Sequence, residues 1–317
     1  MPPSTLSFVD TQFATTYGIP TGSVYRFFLQ NCTAPSSFPV TAKRAPLVIF
    51  SHGAAASLYL YQTILSAIAS SGFTVIAIDH TYDAAIVEFP DGTVAFNNYP
   101  PALTNGTLAE QDDIFGNLIV PVRRADVTSV LDAVERGSIP GLESFIEVNG
   151  TNVSAAVIGH SLGGTTAILA GATDERVVGA MTMDGVLVGE VLNKTVDVPV
   201  LLFESEGSVT LNNEVGPSFN ASWANFQTWK EWIYVNGTAH LSYTDLGVVV
   251  DLLGLRDQPS GIIAQATGTI TGIRILEIVW RWSVGFLGKT LKGQETAPFF
   301  GDPSEEFPEV TTVRSNL

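Results

Sequence analysis

Ala155-Ala156-Val157-Ile158-Gly159-His160-Ser161-Leu162-Gly163-Gly164 is the stretch that decides the fold. A short apolar run comes first, then a serine with glycine two places before it and two places after, then Thr165–Ala170 in a helical pattern. The order is strand, sharp turn, helix. Such a turn pushes the serine into strained backbone geometry, and only small residues two places either side leave room for it. The glycine pattern alone is a weak signal; with a strand before it and a helix after it, the signal is strong.

Working outward, apolar β-branched runs of similar length recur at Leu47–Phe50, Thr74–Asp79, Val177–Met183, Val198–Phe203 and Trp232–Val235. Helical patterns fall between them at Ser57–Ser70, Val122–Arg136 and Ser161–Ala170, with another at Thr271–Leu287. This alternation predicts an α/β fold: a mostly parallel central sheet with helices on both faces. Ser7–Gln12 and Ser23–Gln30 read as an antiparallel pair feeding the sheet edge. Between Tyr82 and Val120 the chain is too long for a simple connection. Ile86–Phe89, Pro90-Asp91-Gly92 and Thr93–Phe96 read as a hairpin, and the Pro- and Asn-rich remainder makes residues 82–120 a candidate cleft-covering insertion. No linker, repeat or low-complexity tract divides the chain, so residues 1–317 read as one domain.

A serine hydroxyl is too weak an acid to attack an ester unaided and needs a base. After a strand–serine–helix turn of this kind the base follows in chain order. Of His52, His80, His160 and His240, only His240 lies downstream of Ser161. It sits in a loop after the strand ending at Val235, where a base should hang over the serine. A carboxylate must hold the imidazole tautomer, and two positions compete. Asp184 ends one strand, Glu204 and Glu206 end the next, and spacing alone does not choose between them. The developing oxyanion needs two backbone N–H donors. Leu162 supplies one, and Ala54, in the small-residue loop Ser51-His52-Gly53-Ala54-Ala55-Ala56, is the expected second.

Composition narrows the class. The net charge is −16 and only 15% of residues are charged, which excludes a phosphate-backbone partner such as nucleic acid. Hydrophobic residues make up 45% and the mean hydropathy is +0.27, enough for one large core. Seven of fourteen asparagines, Asn31, Asn105, Asn149, Asn152, Asn193, Asn220 and Asn236, open a glycosylation sequon, where chance gives about two or three. That excess predicts a secreted glycoprotein, although the opening Met1-Pro2-Pro3-Ser4 has neither the basic start nor the apolar run of a signal peptide. Cys32 is the sole cysteine, so no intrachain disulfide forms. Ile270–Leu287 carries Arg274, Glu277 and Arg281 along one side and reads as an amphipathic core helix, not a transmembrane segment. No His-x-x-x-His or paired-Cys cluster is present, and the chemistry assigned needs no metal and no cofactor.

Phe50-Ser51-His52-Gly53, Ile78-Asp79-His80, Gly159-His160-Ser161-Leu162-Gly163-Gly164, Met183-Asp184-Gly185, Phe203-Glu204-Ser205-Glu206 and Gly237-Thr238-Ala239-His240 together resemble the plasma-type platelet-activating-factor acetylhydrolase family, from about Pro46 to Gly293. The resemblance implies the α/β-hydrolase fold, an acid at Asp184, and a cofactor-free, calcium-independent esterase for short or oxidised acyl chains. The family's His-Arg-Asp is His80-Thr81-Tyr82-Asp83 here. A second resemblance, to cutinase-like polyester hydrolases, would select Glu206. The leading expectation is hydrolysis of a small-molecule or lipid short-acyl ester through a Ser161 acyl-enzyme. Its rivals are acyl transfer or cyclisation of a natural product by the same residues with water excluded, and a non-enzymatic binding glycoprotein, which usually lacks a triad member.

Overall fold

The computed structural model describes residues 1–24, 44–142, 145–146, 153–210, 215–257, 261–301 and 305–316. Asn31, Cys32, Asn149 and Asn152 lie outside them. Seven strands form the main sheet: β1 Leu47–Ser51, β2 Thr74–Ile78, β5 Ala155–His160, β6 Val177–Met183, β7 Val200–Ser205, β8 Lys230–Val235 and β9 Val310–Asn316. Their order is β2-β1-β5-β6-β7-β8-β9, parallel throughout except that β9 runs antiparallel to β8. Strands β3 Ile86–Glu88 and β4 Val94–Phe96 form the expected separate hairpin.

Alternation along each strand divides the core. Phe50, Ile158, Met183 and Phe203 pack with Ile64 and Ile68 of the Gln62–Ser70 helix and with Ile278, Trp282 and Phe286 of the Gly272–Lys292 helix. Their strand neighbours turn to the other face. There Leu47, Ile49 and Val157 meet Val127 and Leu131 of the Val120–Glu135 helix, and Leu202 meets Ile168 and Leu169 of the Leu162–Thr173 helix. The period of two buries both faces of one sheet under helices. By length and composition, residues 262–292 could also cross a membrane. The apolar side of their long helix is instead packed on the sheet.

The chain visits β1 and β2 on one side of the sheet, then crosses to β5 and continues outward through β8. The crossing point lies between β1 and β5. In open α/β sheets the crevice beyond the strand ends at such a point is where ligands bind, and both the Ser161 turn and the loop after β1 open there.

Several elements depart from the sequence reading. Residues 3–17 form a helix, so Ser7–Gln12 is not a strand. Thr5, Val9 and Phe13, one helical turn apart, are its buried side; Pro3 opens it and Gly18 at φ 67° closes it. Of Ser23–Gln30, residues 25–30 fall outside the described chain. Strand β7 runs on to Ser205, which puts Glu204 inside the sheet and makes Glu206 the first residue of a short helix, Glu206–Thr210. Within 82–120, beyond the hairpin, lie helices Ala102–Asn105 and Leu108–Ile114, the second opened by a Thr107–Glu110 capping box. A π-helical turn, Phe115–Ile119, joins it to Val120–Glu135. Pro121, which has no N–H to give, is accommodated where that wide turn ends.

Candidate active site

Ser161 leaves β5 with φ 55° and ψ −128°. That backbone is costly for any residue with a Cβ. It is held by a hydrogen bond from Ser161 N to the Met183 carbonyl at 2.9 Å and by Gly164 N donating to the Ser161 carbonyl at 2.9 Å. A Cβ at Gly159 would overlap the Gly163 carbonyl, and one at Gly163 would overlap the Ser51 carbonyl. The flanking glycines are therefore a packing requirement of the turn. Among the described residues, the non-glycine positions at positive φ are Ala55, Tyr82, Ser161 and Asp184. Each lies just beyond the carboxyl end of a strand, β1, β2, β5 or β6, so backbone strain gathers on the edge where the site stands.

His240 opens a 3₁₀ turn, His240–Tyr243, beyond β8. Its Nε2 lies 3.0 Å from Ser161 Oγ and its Nδ1 2.7 Å from Asp184 Oδ2. Asp184 is buried and accepts from Ser205 N at 2.8 Å, Ser208 Oγ at 2.7 Å and Ser205 Oγ at 3.0 Å. Burial opposes ionisation of this carboxyl. The hydrogen bond and charge of His240 and the serine donors outweigh it, and the carboxyl stays below the usual carboxylate range. Sequence reasoning quotes Ser205 within a motif but gives neither it nor Ser208 this role; the trace they leave is a serine pair three apart, the first ending β7.

The rival carboxylates do other work. Glu206 accepts from Gly237 N at 2.6 Å and so ties down the loop that carries His240. Glu204 is buried and accepts from Trp232 Nε1 at 3.0 Å. Neither reaches the imidazole through a hydrogen bond.

The backbone N–H groups of Leu162 and Ala54 donate to no acceptor among the described residues. The Ala54 loop is braced from behind by Arg123, fully buried, which donates to the carbonyls of His52 at 2.5 Å and Gly53 at 3.3 Å. Its Nε also donates to Asp83 Oδ2 at 2.7 Å, and its Nη2 pairs with the other Asp83 oxygen. Breaking a buried pair of this kind typically costs about 3–5 kcal/mol, because the partner is left charged and dry. Beside it, Ser51 Oγ lies 2.8 Å from His80 Nε2, and His80 Nδ1 lies 2.7 Å from Asp126 Oδ2.

The cleft beside Ser161 encloses about 200 Å³. Gln12, Phe13 and Tyr17 of the N-terminal helix form one wall, and Ala54, Leu60 and Leu241 contribute to the others. None of the described residues of 82–120 lines it; their hairpin abuts the N-terminal helix, with Glu88 accepting from Thr5 N at 2.9 Å.

A mostly parallel sheet with a Ser–His–Asp chain at its carboxyl edge, Asp184 one strand beyond Ser161, defines the α/β-hydrolase fold. The chain belongs to the platelet-activating factor acetylhydrolase, isoform II, family, whose model matches residues 11–100 and 146–298. It is similar to a probable 1-alkyl-2-acetylglycerophosphocholine esterase of Arthroderma benhamiae, 25% identical over 280 residues, 84% of this chain and 65% of that protein. It is also similar to the platelet-activating factor acetylhydrolase of Cavia porcellus, 24% identical over 299 residues, 86% of this chain and 64% of that protein. The chain thus spans just under two thirds of the length of these relatives. A solved ferulic acid esterase from Streptomyces cinnamoneus superposes with a TM-score of 0.71 at 28% identity, covering 86% of this chain and 74% of that one.

Proposed function

We propose that the protein is a serine carboxylic-ester hydrolase acting on short-acyl esters through an acyl-enzyme at Ser161. The observation that carries this reading is the unbroken chain Asp184–His240–Ser161 opening onto the cleft. His240 Nε2 takes the hydroxyl proton as Ser161 Oγ attacks the ester carbonyl. The oxyanion that forms is received by the N–H groups of Ala54 and Leu162. Collapse expels the alcohol, protonated by His240, and leaves the acyl group on Ser161. Water, activated by the same imidazole, then releases the acid. Asp184 stays ionised throughout, holds the tautomer and stabilises the imidazolium. No step calls on a metal or cofactor.

A cleft of about 200 Å³ beside Ser161 has room for a small acyl group. The relatives named for acetyl-ester substrates agree with a short acyl group. Secretion is part of the proposal. Asn105, Asn193, Asn220 and Asn236, the sequon asparagines within the described residues, are all exposed, as glycosylation requires.

A ladder of p-nitrophenyl esters from acetyl to decanoyl, with product analysis, tests the function. Turnover should be fastest for the shortest acyl groups and yield free acid. Transfer to an added alcohol in preference to water would make the protein an acyltransferase. A maximum at long chains would favour the cutinase-like reading, and no turnover of any ester would end the proposal.

A further inference from the structure

His160, between the first glycine of the turn and the nucleophile, is buried at the base of the cleft, which it lines together with Tyr61. Its Nδ1 lies 2.9 Å from the Tyr61 hydroxyl and its Nε2 2.8 Å from the main-chain carbonyl of His240. The Tyr61 oxygen in turn accepts from Gly53 N at 3.1 Å. Four groups therefore form one chain, from the loop that carries Ala54 to the residue that carries the base.

The direction of this chain is fixed by its ends. Gly53 N–H can only donate and the His240 carbonyl can only accept. Tyr61 O–H is then left to donate to His160 Nδ1, and the His160 proton must sit on Nε2, aimed at the His240 carbonyl. That arrangement needs a neutral imidazole. Burial, followed by the charge on nearby His240, pushes the pKa of His160 down to about 3. The centroids of the two imidazole rings lie 4.6 Å apart, and Tyr61 is packed on Phe50 with ring centroids 4.7 Å apart. The chain is thus rigid as well as directional.

We infer that Tyr61 and His160 are positioning residues: they lock the oxyanion loop and the base loop to each other, so that Ala54 N–H and His240 Nε2 keep one separation throughout turnover. Both loops are irregular segments leaving different strands, β1 and β8. A second tie, Asp245 N donating to the Leu60 carbonyl at 2.7 Å, joins the same two segments farther from Ser161, so this chain is the one that reaches His160 and the base. A base displaced by a fraction of an ångström is still present but misaligned, which lowers kcat and leaves binding nearly untouched. The inference rests on Ser161 and His240 being nucleophile and base.

The test is a double-mutant cycle on the ester turned over best, with melting temperatures recorded for every variant. Tyr61→Phe removes one oxygen and keeps the ring on Phe50, so folding survives. His160→Phe removes both polar ends. Each should lower kcat by roughly 10- to 100-fold with KM changed by less than about threefold, and the double variant should be little worse than the poorer single one, as expected of residues acting as one unit. His160→Gln, whose amide N–H replaces Nε2–H, should regain most of what His160→Phe loses. An unchanged kcat in Tyr61→Phe, losses that multiply, or a loss confined to KM overturns the inference. So does a kcat loss that disappears well below the variant's melting temperature. If wild type turns over no faster than Ser161→Ala, the functional proposal itself fails and takes this inference with it.

Discussion

Two Ser–His–Asp chains stand on the same edge of this sheet. In one, Ser161 Oγ, His240 and Asp184 are linked at 3.0 and 2.7 Å; in the other, Ser51 Oγ, His80 and Asp126 are linked at 2.8 and 2.7 Å. Hydrogen-bond lengths do not tell them apart. Exposure does, because its order is reversed: His240 is 45% exposed over an Asp184 at 0%, whereas His80 is 1% exposed beneath an Asp126 at 40%. Ser51 is fully buried within β1, while Ser161 sits on a strained turn facing the cleft. A nucleophile must meet its substrate, and a base is poised when its carboxylate is dry and its far nitrogen is not. The first chain is therefore the one we propose for reaction; the second fastens β1, β2 and the Val120–Glu135 helix together behind the Ala54 loop.

Removing the serines is the harshest way to break this contrast. Ser161→Ala should fold with an unchanged melting temperature and lose roughly 10⁵- to 10⁶-fold in kcat, and His240→Ala should match it because the two act as a unit. Ser51→Ala should keep kcat within about threefold while costing about 1–3 kcal/mol in urea unfolding, since it leaves a buried His80 nitrogen unpaired. Equal losses of kcat from both serines would dissolve the distinction. The acids come next. Asp184→Asn should lose at least about a thousandfold in kcat, roughly 4 kcal/mol of barrier, with little change in melting temperature. Asp126→Asn and Glu206→Gln should cost about tenfold or less. A larger loss for Glu206→Gln than for Asp184→Asn would transfer the acid to Glu206.

The smallest effect concerns pH. Burial lowers the pKa of His80 despite its bond to Asp126, and burial with the Arg123 charge lowers that of His52 further. Unfolded histidine binds a proton near pH 6.5 that the folded protein refuses. Stability therefore falls as pH drops below about 6.5, by at most roughly 1.4 kcal/mol per pH unit for each such histidine. Burial raises Asp79 and Asp245 to about 6, and these contribute in the opposite sense, losing stability as pH rises through that value. Comparison with a variant cancels them. His80→Gln should flatten the dependence of melting temperature on pH between about 6.5 and 4. An identical slope would show that His80 titrates in the fold as it does in the unfolded chain.

How much of this is readable from sequence depends on what each residue is surrounded by. The inner strands are continuous apolar runs and are legible, and local spacing with chain order is enough to pair Ser161 with His240, which the fold brings to 3.0 Å. Which carboxylate meets His240 is not legible from spacing, because that turns on where β7 stops. Only the structure shows the strand absorbing Glu204, whose carboxylate meets Trp232. Ser7–Gln12, inside the helix Pro3–Tyr17, reads as a strand because Ser, Thr, Val and Phe suit either state. The marks of the helix are the one-turn spacing of Thr5, Val9 and Phe13 and the closing Gly18. β9 has a single buried residue, Val310, and so no hydrophobic pattern to find. Arg123 defeats patterning outright: a guanidinium in a helix is read as facing solvent, and this one is buried at the heart of the loop supports. Arg123 and Asp126 also lie between the two blocks matched by the family model.

The claim that access, and not hydrogen-bond geometry, separates the two chains is tested most directly by treating the folded wild-type protein with a fluorophosphonate and locating the adduct by peptide mass spectrometry. A single adduct on Ser161 is expected, absent from Ser161→Ala and from heat-unfolded protein. An adduct on Ser51, or labelling that survives in Ser161→Ala, would contradict it.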